Sequence, residues 1–244
     1  MPRPRRLEPA GVALHVVQRG NNRAACFFSD IDRHFYLKCL AEYAERRSCA
    51  IHAYALMPNH VHLLVTPRHA GGVSQLMQDL GRRYVTSINK VLARTGSLWE
   101  GRFKSNPVDS ETYVLACHRY IELNPVRAAM VTNPVDYAWS SHRYYALGTP
   151  CKFISEHAVY RSLAKTPIDR RANFLALFDT PQSKNEIDSL RQSLSKGWAL
   201  GSEAFLNRIE IALGCSVRPP RLGRPPKENP RRDLDNESQE EMLF

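Results

Sequence analysis

The pattern of apolar and polar positions at the start of the chain predicts a strand followed by a helix. Apolar and β-branched residues alternate with polar ones over residues 11–19, and the run that begins at Gly20 is a turn signal. Ser29 is of a type that caps helix N-termini, and apolar residues recur from there to about residue 46 at helical spacings. The first two predicted elements are therefore a half-buried strand and a helix.

The next apolar runs predict a β-hairpin and a second helix. Residues 51–57 and 60–66 are short and rich in apolar and β-branched side chains, and the Pro-Asn pair between them favours a tight connection. A longer segment then carries apolar residues on one helical face, from Ser74 as N-cap to about Arg94. The order so far is strand, helix, strand, strand, helix.

A last strand and helix complete this part of the chain. Residues 97–108 predict a fourth strand, and Ser110 is placed to cap a helix over residues 111–123. That helix should end near Pro125, because proline disfavours α geometry in the residue before it. The resulting order is the split βαβ plan of an α+β, ferredoxin-like fold. It has an antiparallel sheet, two helices on one face and an extra helix after the last strand.

The chain divides into three predicted regions. Residues 1–148 carry the α+β pattern, whereas residues 149–215 show purely helical patterning and predict a helical appendage. The helices predicted in the appendage cover residues 169–178, 184–196 and 202–213. Residues 216–244 begin with a basic, proline-rich run and end in an acidic stretch. Such a composition cannot build a core, so this tail is expected to be disordered.

Charge narrows the choice of partner. The 244 residues include 34 Lys and Arg against 24 Asp and Glu, which gives a formal net charge of +10. Such an excess is typical of proteins that contact polyanions, and nucleic acid is the first candidate. A basic surface that serves solubility or contacts a membrane surface is the alternative.

The cysteines and apolar runs bear on the compartment. The six cysteines contain no CxxC pair, so they form neither a zinc-knuckle pattern nor a disulfide framework. No apolar run approaches the ~18 residues of a membrane span, and no apolar segment follows the basic N-terminus. The sequence therefore predicts a reduced, cytoplasmic, nucleoid-associated protein with no membrane partner.

His60 and His62 are the first candidate site. Alternate side chains of a strand share a face, so the two imidazoles should lie about 6.6 Å apart on the same side of the sheet. At that separation both can bind one metal ion. The alternative is a pair of solvent-facing or core histidines, because the HxH pattern is short and arises by chance.

Tyr120 and Asn124 form the second candidate site. They are four residues apart on a predicted helix and so stand on one face. The asparagine offers a neutral oxygen ligand to a divalent cation. The phenol is a nucleophile that can attack a phosphate whose charge a metal neutralises. The alternative for Tyr120 is a core aromatic at helical spacing, since Tyr113 lies seven residues earlier on a similar face.

A zinc site is a competing arrangement of the same residues. His118 together with His60 and His62 would make a set of imidazoles of the kind that binds zinc. Helical spacing weighs against this set, because His118 is two residues from Tyr120 and faces elsewhere. Cys117 is three residues before Tyr120, nearer its face, and is expected to pack.

Three sequence blocks together resemble a known family. They are MPNHVHLLVTP at 57–67, LWEGRFKS at 98–105 and RYIELNPVRAAMV at 119–131. In this order they resemble the REP-associated tyrosine transposases, relatives of the single-tyrosine insertion-sequence transposases. The resemblance covers roughly residues 10–148. It implies a ferredoxin-like catalytic domain of the HUH endonuclease class, in which Val61 is the apolar residue between the two histidines.

The resemblance also implies a chemistry. His60 and His62 would hold Mg²⁺ or Mn²⁺ together with Asn124, the polar residue four positions past the nucleophile. Tyr120 would attack a phosphodiester in single-stranded DNA and leave a 5′-phosphotyrosine and a free 3′-OH. The implied substrate is a palindromic repeat folded as a hairpin, and the implied assembly is a monomer or a homodimer. Two of the implied ligands are imidazoles, whereas Mg²⁺ prefers oxygen. The ligand types therefore leave the choice between Mg²⁺, Mn²⁺ and a softer ion open.

Basic residues near the proposed centre are candidates for DNA contacts. Arg102, Arg119 and Arg127 flank it and could clamp phosphates, with solvated surface as the alternative. The second helix offers a weaker candidate ridge, made of Arg82, Arg83, Lys90 and Arg94.

The tail sequence RLGRPPK resembles an AT-hook. Its basic residues Arg221, Arg224 and Lys227 would lie along a narrow minor groove of DNA. Proline keeps such a segment extended, and Gly223 lets the backbone approach the groove. The alternative is a generic basic tail, and either one predicts a salt-sensitive, mostly non-specific affinity for DNA.

The predicted function is therefore a metal-dependent single-stranded DNA endonuclease and strand transferase acting at palindromic hairpins. Two alternatives remain open. One is a DNA- or RNA-binding regulator that keeps the ferredoxin-like sheet without the chemistry, and the other is a zinc hydrolase in which the tyrosine is incidental. A covalent protein–DNA adduct through Tyr120 would separate the first reading from both alternatives.

Overall fold

The computed structural model describes residues 6–109 and 113–219. Its strands are β1 (Leu14–Arg19), β2 (Cys49–Met57), β3 (His60–Pro67) and β4 (Lys104–Pro107). They form one antiparallel sheet in the order β2-β3-β1-β4. With a helix after β1 and another after β3, this is the ferredoxin-like plan. The predicted α+β fold class is confirmed.

Two helices, α1 (Asp30–Arg46) and α2 (Gly72–Val91), cover one face of the sheet. Alternation along the strands sends one set of apolar side chains towards them. This core includes Leu14 and Val16 of β1, Leu63 of β3, Leu40 of α1 and Leu80 of α2. Ser29 caps α1 as predicted, through a capping box in which Ser29 and Asp32 each accept from the other's backbone N–H.

The ends of α2 differ from the prediction. Gly71 is the N-cap in place of Ser74, with a φ of 77° that suits glycine. The amide and hydroxyl groups of Ser74 donate to the Glu8 carboxylate, at 2.9 and 2.6 Å. A carboxylate from the N-terminal segment therefore binds a first-turn amide of the helix, as the helix dipole favours. The helix ends at Val91, before the predicted Arg94.

A third helix, α3 (Val114–Glu122), covers the opposite face of the sheet and is followed by the short helix α4 (Asn124–Arg127). Ala53 and Ala55 of β2 form a core with Cys117 of α3, and their small side chains let the helix lie close to the sheet. This is the extra helix of the prediction. Its contacts with β2 and β3 bring it next to the strand that carries the two histidines.

The fourth strand is shorter than predicted, whereas the end of the following helix agrees with the prediction. The strand predicted over 97–108 is reduced to the four residues of β4, because the preceding segment forms bends, with Gly101 at a φ of 93°. The end predicted near Pro125 is confirmed, because α3 ends at Glu122. Pro125 itself lies in the first turn of α4, where its missing N–H is tolerated. Ser110, the predicted cap, lies outside the described residues.

The helices after α4 are α5 (His142–Leu147), α6 (Ala158–Arg161), α7 (Pro167–Asp179), α8 (Lys184–Lys196) and α9 (Glu203–Leu213). The last three coincide with the helices predicted over residues 169–178, 184–196 and 202–213, whereas α5 and α6 were not predicted. Ser202 caps α9, and Gly214 ends it in the left-handed conformation, as predicted. Helix α8 contacts β1, β4 and α3. The helical segment therefore packs directly on the ferredoxin-like unit.

The described helices bear on one further expectation. None of them is long and apolar enough to span a bilayer. Of the predicted tail over 216–244, the structure describes residues 216–219. The DNA contacts predicted at Arg221, Arg224 and Lys227 lie outside the described residues.

Candidate active site

Alternation along β3 places His60 and His62 on the α3 face of the sheet, as the sequence predicts. Their ring centroids are 5.0 Å apart. His62 is buried, and His60 begins the strand opposite Arg19 of β1. Both imidazoles line one cleft between the sheet and α3.

Helix α3 brings Tyr120 to the same cleft. The centroid of its ring lies 5.9 Å from that of His62, and the side chain is 5% exposed. The guanidinium of Arg127 lies 4.2 Å from the ring centroid, a cation–π contact, and also donates to the Tyr120 carbonyl. Tyr120 is thus a packed aromatic residue and, at the same time, part of the cleft wall.

Asn124 begins the next helical turn. Its side-chain Nδ2 donates to the Tyr120 carbonyl at 3.0 Å and to the Ile121 carbonyl at 3.4 Å. Because the amide nitrogen is engaged by the backbone, the side-chain oxygen is the group left to bind a cation. The cleft has a volume of about 730 Å³, and His60, His62, Tyr120 and Asn124 all line it.

His15 of β1 is a third imidazole in this group, and it was not predicted from the sequence. Its ring stacks on that of His62 with centroids 5.2 Å apart, and its Nε2 lies 2.9 Å from His62 Nδ1. The Nδ1 of His60 lies 2.6 Å from the Asn59 side-chain oxygen. Both cleft histidines thus use Nδ1 for a protein partner. In the described part of the chain, neither Nε2 has such a partner.

Burial keeps these histidines neutral at neutral pH. It lowers the pKa of His60 to about 4, and the charge of Arg19 acts in the same direction. Burial also lowers the pKa of His62 well below its ordinary value, with a further contribution from neighbouring His15. The pKa of buried His15 falls to about 3. A neutral imidazole keeps a lone pair and is the form that binds metal ions.

Basic side chains surround the cleft. Those that line it are Arg19, Arg23, Arg102, Lys104, Arg127 and Arg191. Among the described residues, Glu100 is the only acidic side chain in the wall. Burial lowers the pKa of Arg127 to about 10, so it remains a cation at neutral pH. Of these, only Arg102 and Arg127 were predicted from the sequence, because the others reach the cleft through strand pairing and helix packing. This charge suits a polyanion.

Arg119, the third predicted phosphate ligand, lies outside the cleft lining. It donates to the Thr180 carbonyl, and its guanidinium is 5.8 Å from the centroid of the Phe178 ring. Adjacent helical positions face different directions, which separates Arg119 from Tyr120. The weaker candidates lie on or just after α2, on the other face of the sheet, and are Arg82, Arg83, Lys90 and Arg94.

His118 does not join His60 and His62. Its Nε2 lies 3.1 Å from Glu122 Oε1, and Cys117 is fully buried in the core between α3 and the sheet. Across residues 6–109 and 113–219, no three His, Cys, Asp or Glu side chains form a group that could hold a metal ion. The alternative zinc set was therefore wrong, because its third imidazole is bonded to a buried carboxylate elsewhere.

Comparison with known families gives one match. Residues 10–124 match the family described as IS200-like transposases. The matched segment runs from just before β1 to the first residue of α4 and includes His60, His62, Tyr120 and Asn124. Among curated proteins the chain has no significant match.

Solved structures that are similar to the chain include two that are described as transposases. A REP-associated tyrosine transposase bound to a REP hairpin matches with a TM-score of 0.52 and 18% identity, over 65% of this chain and 96% of that chain. A protein described as a transposase from Deinococcus radiodurans matches with a TM-score of 0.36 and 22% identity, over 50% of this chain and 96% of that chain. At 18% identity, the first match shows that the two proteins share a fold.

Proposed function

We propose that the protein is a metal-dependent DNA endonuclease and strand transferase whose nucleophile is Tyr120. The match of residues 10–124 to the IS200-like transposase family supports this proposal. The observation that carries this proposal is the position of the Tyr120 ring, 5.9 Å from the His62 ring within a basic cleft. A phenol, two neutral imidazoles and an amide oxygen share that cleft with cations that suit a phosphodiester.

The proposed reaction is a transesterification. The phenolic oxygen of Tyr120 attacks the phosphorus of a phosphodiester, so an oxygen–phosphorus bond to tyrosine forms and the bond from phosphorus to the 3′ oxygen breaks. The phenol loses one proton and the leaving oxygen gains one, which gives a 5′-phosphotyrosine and a free 3′-OH. The diester linkage is conserved, so attack by another 3′-OH can release the tyrosine and join the strands.

Arg127 and Asn124 hold the nucleophile in position. Arg127 lies over the ring of Tyr120, and both side chains donate to its carbonyl oxygen. The phenol is therefore oriented by contacts that exist before DNA binds, which reduces the entropy lost in reaching the transition state. The charge of Arg127 also stabilises the negative charge that gathers on the phosphate oxygens.

His60, His62 and Asn124 are the residues that would hold Mg²⁺ or Mn²⁺. They fit such a cation because both imidazoles are neutral and bonded through Nδ1, and the asparagine oxygen is not needed by its own helix. When bound, the cation would neutralise phosphate charge and make the phosphorus more electrophilic. Two nitrogen donors favour Mn²⁺ over Mg²⁺, which prefers oxygen.

The proposed substrate is single-stranded DNA next to a palindromic hairpin. Support comes from the similar solved structure, which is of a REP-associated tyrosine transposase bound to a REP hairpin. The cations of the cleft would bind the DNA backbone and make the affinity salt-dependent. Cutting and rejoining at such repeats would place the protein in DNA transposition or repeat mobilisation.

Formation of a covalent adduct tests the proposal. The protein is incubated with Mn²⁺ and a 3′-labelled hairpin oligonucleotide taken from palindromes that flank its gene, and the products are separated on a denaturing gel. Wild type should form a protein–DNA adduct and Tyr120→Phe none. Tyr113→Phe is the matched control, because it removes one phenol at the start of the same helix and should keep the adduct. Tight binding with no adduct in any divalent ion would favour the non-catalytic regulator.

A further inference from the structure

Helix α8 supplies part of the cleft wall. Arg191, Leu194 and Ser195 line the same cavity as His62 and Tyr120. Spacings of three and four residues place the three α8 side chains on one helical face. Leu194 is buried, whereas Arg191 and Ser195 are exposed. This face therefore packs through its leucine and presents polar groups to the cleft.

Arg191 is a cation that the fold leaves available. Among the described residues it has no ion pair and no hydrogen-bond partner. Arg127 differs, because its guanidinium bonds the Tyr120 carbonyl and Gln182. Burial is the main cause that lowers the pKa of Arg127, and the charge of Arg191 adds to it. Two cations that repel each other across an open cleft are stabilised by an anion between them.

Gln182 links α8 to the helix that carries the nucleophile. It lies just before α8, and its side-chain nitrogen donates to the Ala116 carbonyl of α3 at 2.9 Å. Its side-chain oxygen accepts from Arg127 at 3.4 Å. Since α8 also contacts β1 and β4, its exposed face is held in a fixed position relative to Tyr120.

We propose that Arg191 binds a backbone phosphate of the DNA strand that Tyr120 attacks, so that α8 forms a wall of a single-strand channel. Helix α8 lies beyond the residues that match the transposase family, so this contact is one that the C-terminal helices add to the family domain. This inference rests on the proposed function in one respect, namely that the bound strand is the one that Tyr120 attacks. Phosphate binding itself needs no chemistry and can be measured separately.

Arg191→Ala and Lys196→Ala distinguish this contact from a general loss of charge. Both remove one cation from α8, and Lys196 is exposed and outside the cleft lining. In fluorescence anisotropy with a labelled oligothymidylate, Arg191→Ala should bind about tenfold more weakly, because a charged hydrogen bond to phosphate is lost. The slope of log affinity against log salt should become shallower by about 0.7. Lys196→Ala should bind within about twofold of wild type.

The outcomes separate this inference from the proposed chemistry. Equal affinities of the two folded alanine variants would overturn the role of Arg191. Weaker binding by Arg191→Ala, in a protein whose wild type forms the adduct, supports both proposals, and Arg191→Lys should then recover part of the affinity. The same weaker binding with no adduct from wild type would keep Arg191 as a DNA contact and overturn the chemistry alone.

Discussion

Helix α3 separates two groups of histidines that have different surroundings. On one side, His60 and His62 line the basic cleft. On the other, His118 of α3 and His142 of α5 are both bonded to Glu122. Imidazoles of the same chemical kind therefore occupy two settings in one small protein, and a single carboxylate accounts for much of the difference.

The Glu122 side is a closed polar network. One carboxylate oxygen lies 3.1 Å from His118 Nε2 and accepts from the Ser141 hydroxyl at 2.6 Å, and the other lies 2.7 Å from His142 Nδ1. All four side chains are buried. The three partner side chains engage both oxygens of the Glu122 carboxylate, so this side fastens α3 to α5.

Among residues 6–109 and 113–219, no carboxylate is bonded to either histidine of the cleft. His62 meets another imidazole through Nδ1, and His60 meets the side-chain amide of Asn59. These neutral partners orient the rings without adding a negative charge, and burial keeps the rings unprotonated. In this molecule, the histidines beside a carboxylate are structural, and those among neutral and basic groups are the candidates for binding a cation.

Replacing one histidine on each side should give different rates of adduct formation, with the largest effect at the cleft. His62→Ala should slow adduct formation in Mn²⁺ by on the order of a thousandfold, because several kcal/mol of charge stabilisation by the cation would be lost. The initial rate is measured on denaturing gels. Its thermal midpoint should fall as well, because His62 is buried and bonded to His15, so the rate is measured at a temperature where both variants are folded.

His118→Ala is the matched control for this experiment. It should lower the thermal midpoint, because it opens the polar network, while the protein that remains folded forms the adduct at a rate near that of wild type. A wild-type rate in His62→Ala would remove His62 from the site. A similar loss of rate in the two folded variants would show that the two sides of α3 are not functionally distinct.

Removing the carboxylate of Glu122 should have the next largest effect, which is on the free energy of unfolding. Glu122→Ala leaves His118, His142 and Ser141 without their shared acceptor in a buried site, which should lower the free energy of unfolding by about 3–5 kcal/mol. Glu122→Gln keeps one acceptor oxygen and should cost about 1–3 kcal/mol. Urea denaturation at neutral pH measures both values. A loss below about 1 kcal/mol for Glu122→Ala would mean that apolar packing alone holds α3.

Acid should weaken the Glu122 side in a defined pH range. Burial alone would raise the pKa of Glu122, but the charges and hydrogen bonds of His118 and His142 hold it at about 2, below its ordinary value of 4.5. A carboxyl with a lowered folded-state pKa stabilises the fold above pH 4.5, and this contribution is lost as the pH falls towards 2. Wild type should lose about 3 kcal/mol relative to Glu122→Gln over this range. The free energy of unfolding of both proteins is measured by urea denaturation at each pH. If it changes with pH by the same amount in the two proteins, the lowered pKa of Glu122 is contradicted.

Features that depend on near neighbours in the chain were predictable from the sequence. Ser29, Ser202 and Gly214 mark helix ends at the expected positions, because capping involves residues only a few positions away. His60 and His62 share a face because a strand alternates, whatever it pairs with. The family blocks extended this local reasoning to Tyr120 and Asn124.

Features that depend on distant residues were not predictable in this way. His15 meets His62 through the register of β1 on β3, and a shift of one residue would turn its side chain to the other face. Arg191 reaches the cleft because α8 packs on β1 and β4. Ser74 does not cap α2 as expected, and its backbone N–H instead donates to the carboxylate of Glu8, which is far away in the sequence.

Substitution of two arginines, one on each side of α3, should give the smallest effect, which is on DNA affinity. Arg102 lines the cleft, whereas Arg119 donates to the Thr180 carbonyl beside Phe178, whose ring packs on His142. Arg102→Ala should weaken oligothymidylate binding about fivefold, or ~1 kcal/mol, because one exposed phosphate contact is lost. Arg119→Ala should bind within about twofold of wild type and unfold at a slightly lower temperature, because it loses a contact within the protein. The opposite ranking in fluorescence anisotropy would place the DNA on the far side of α3 and contradict the division between a binding side and a structural side.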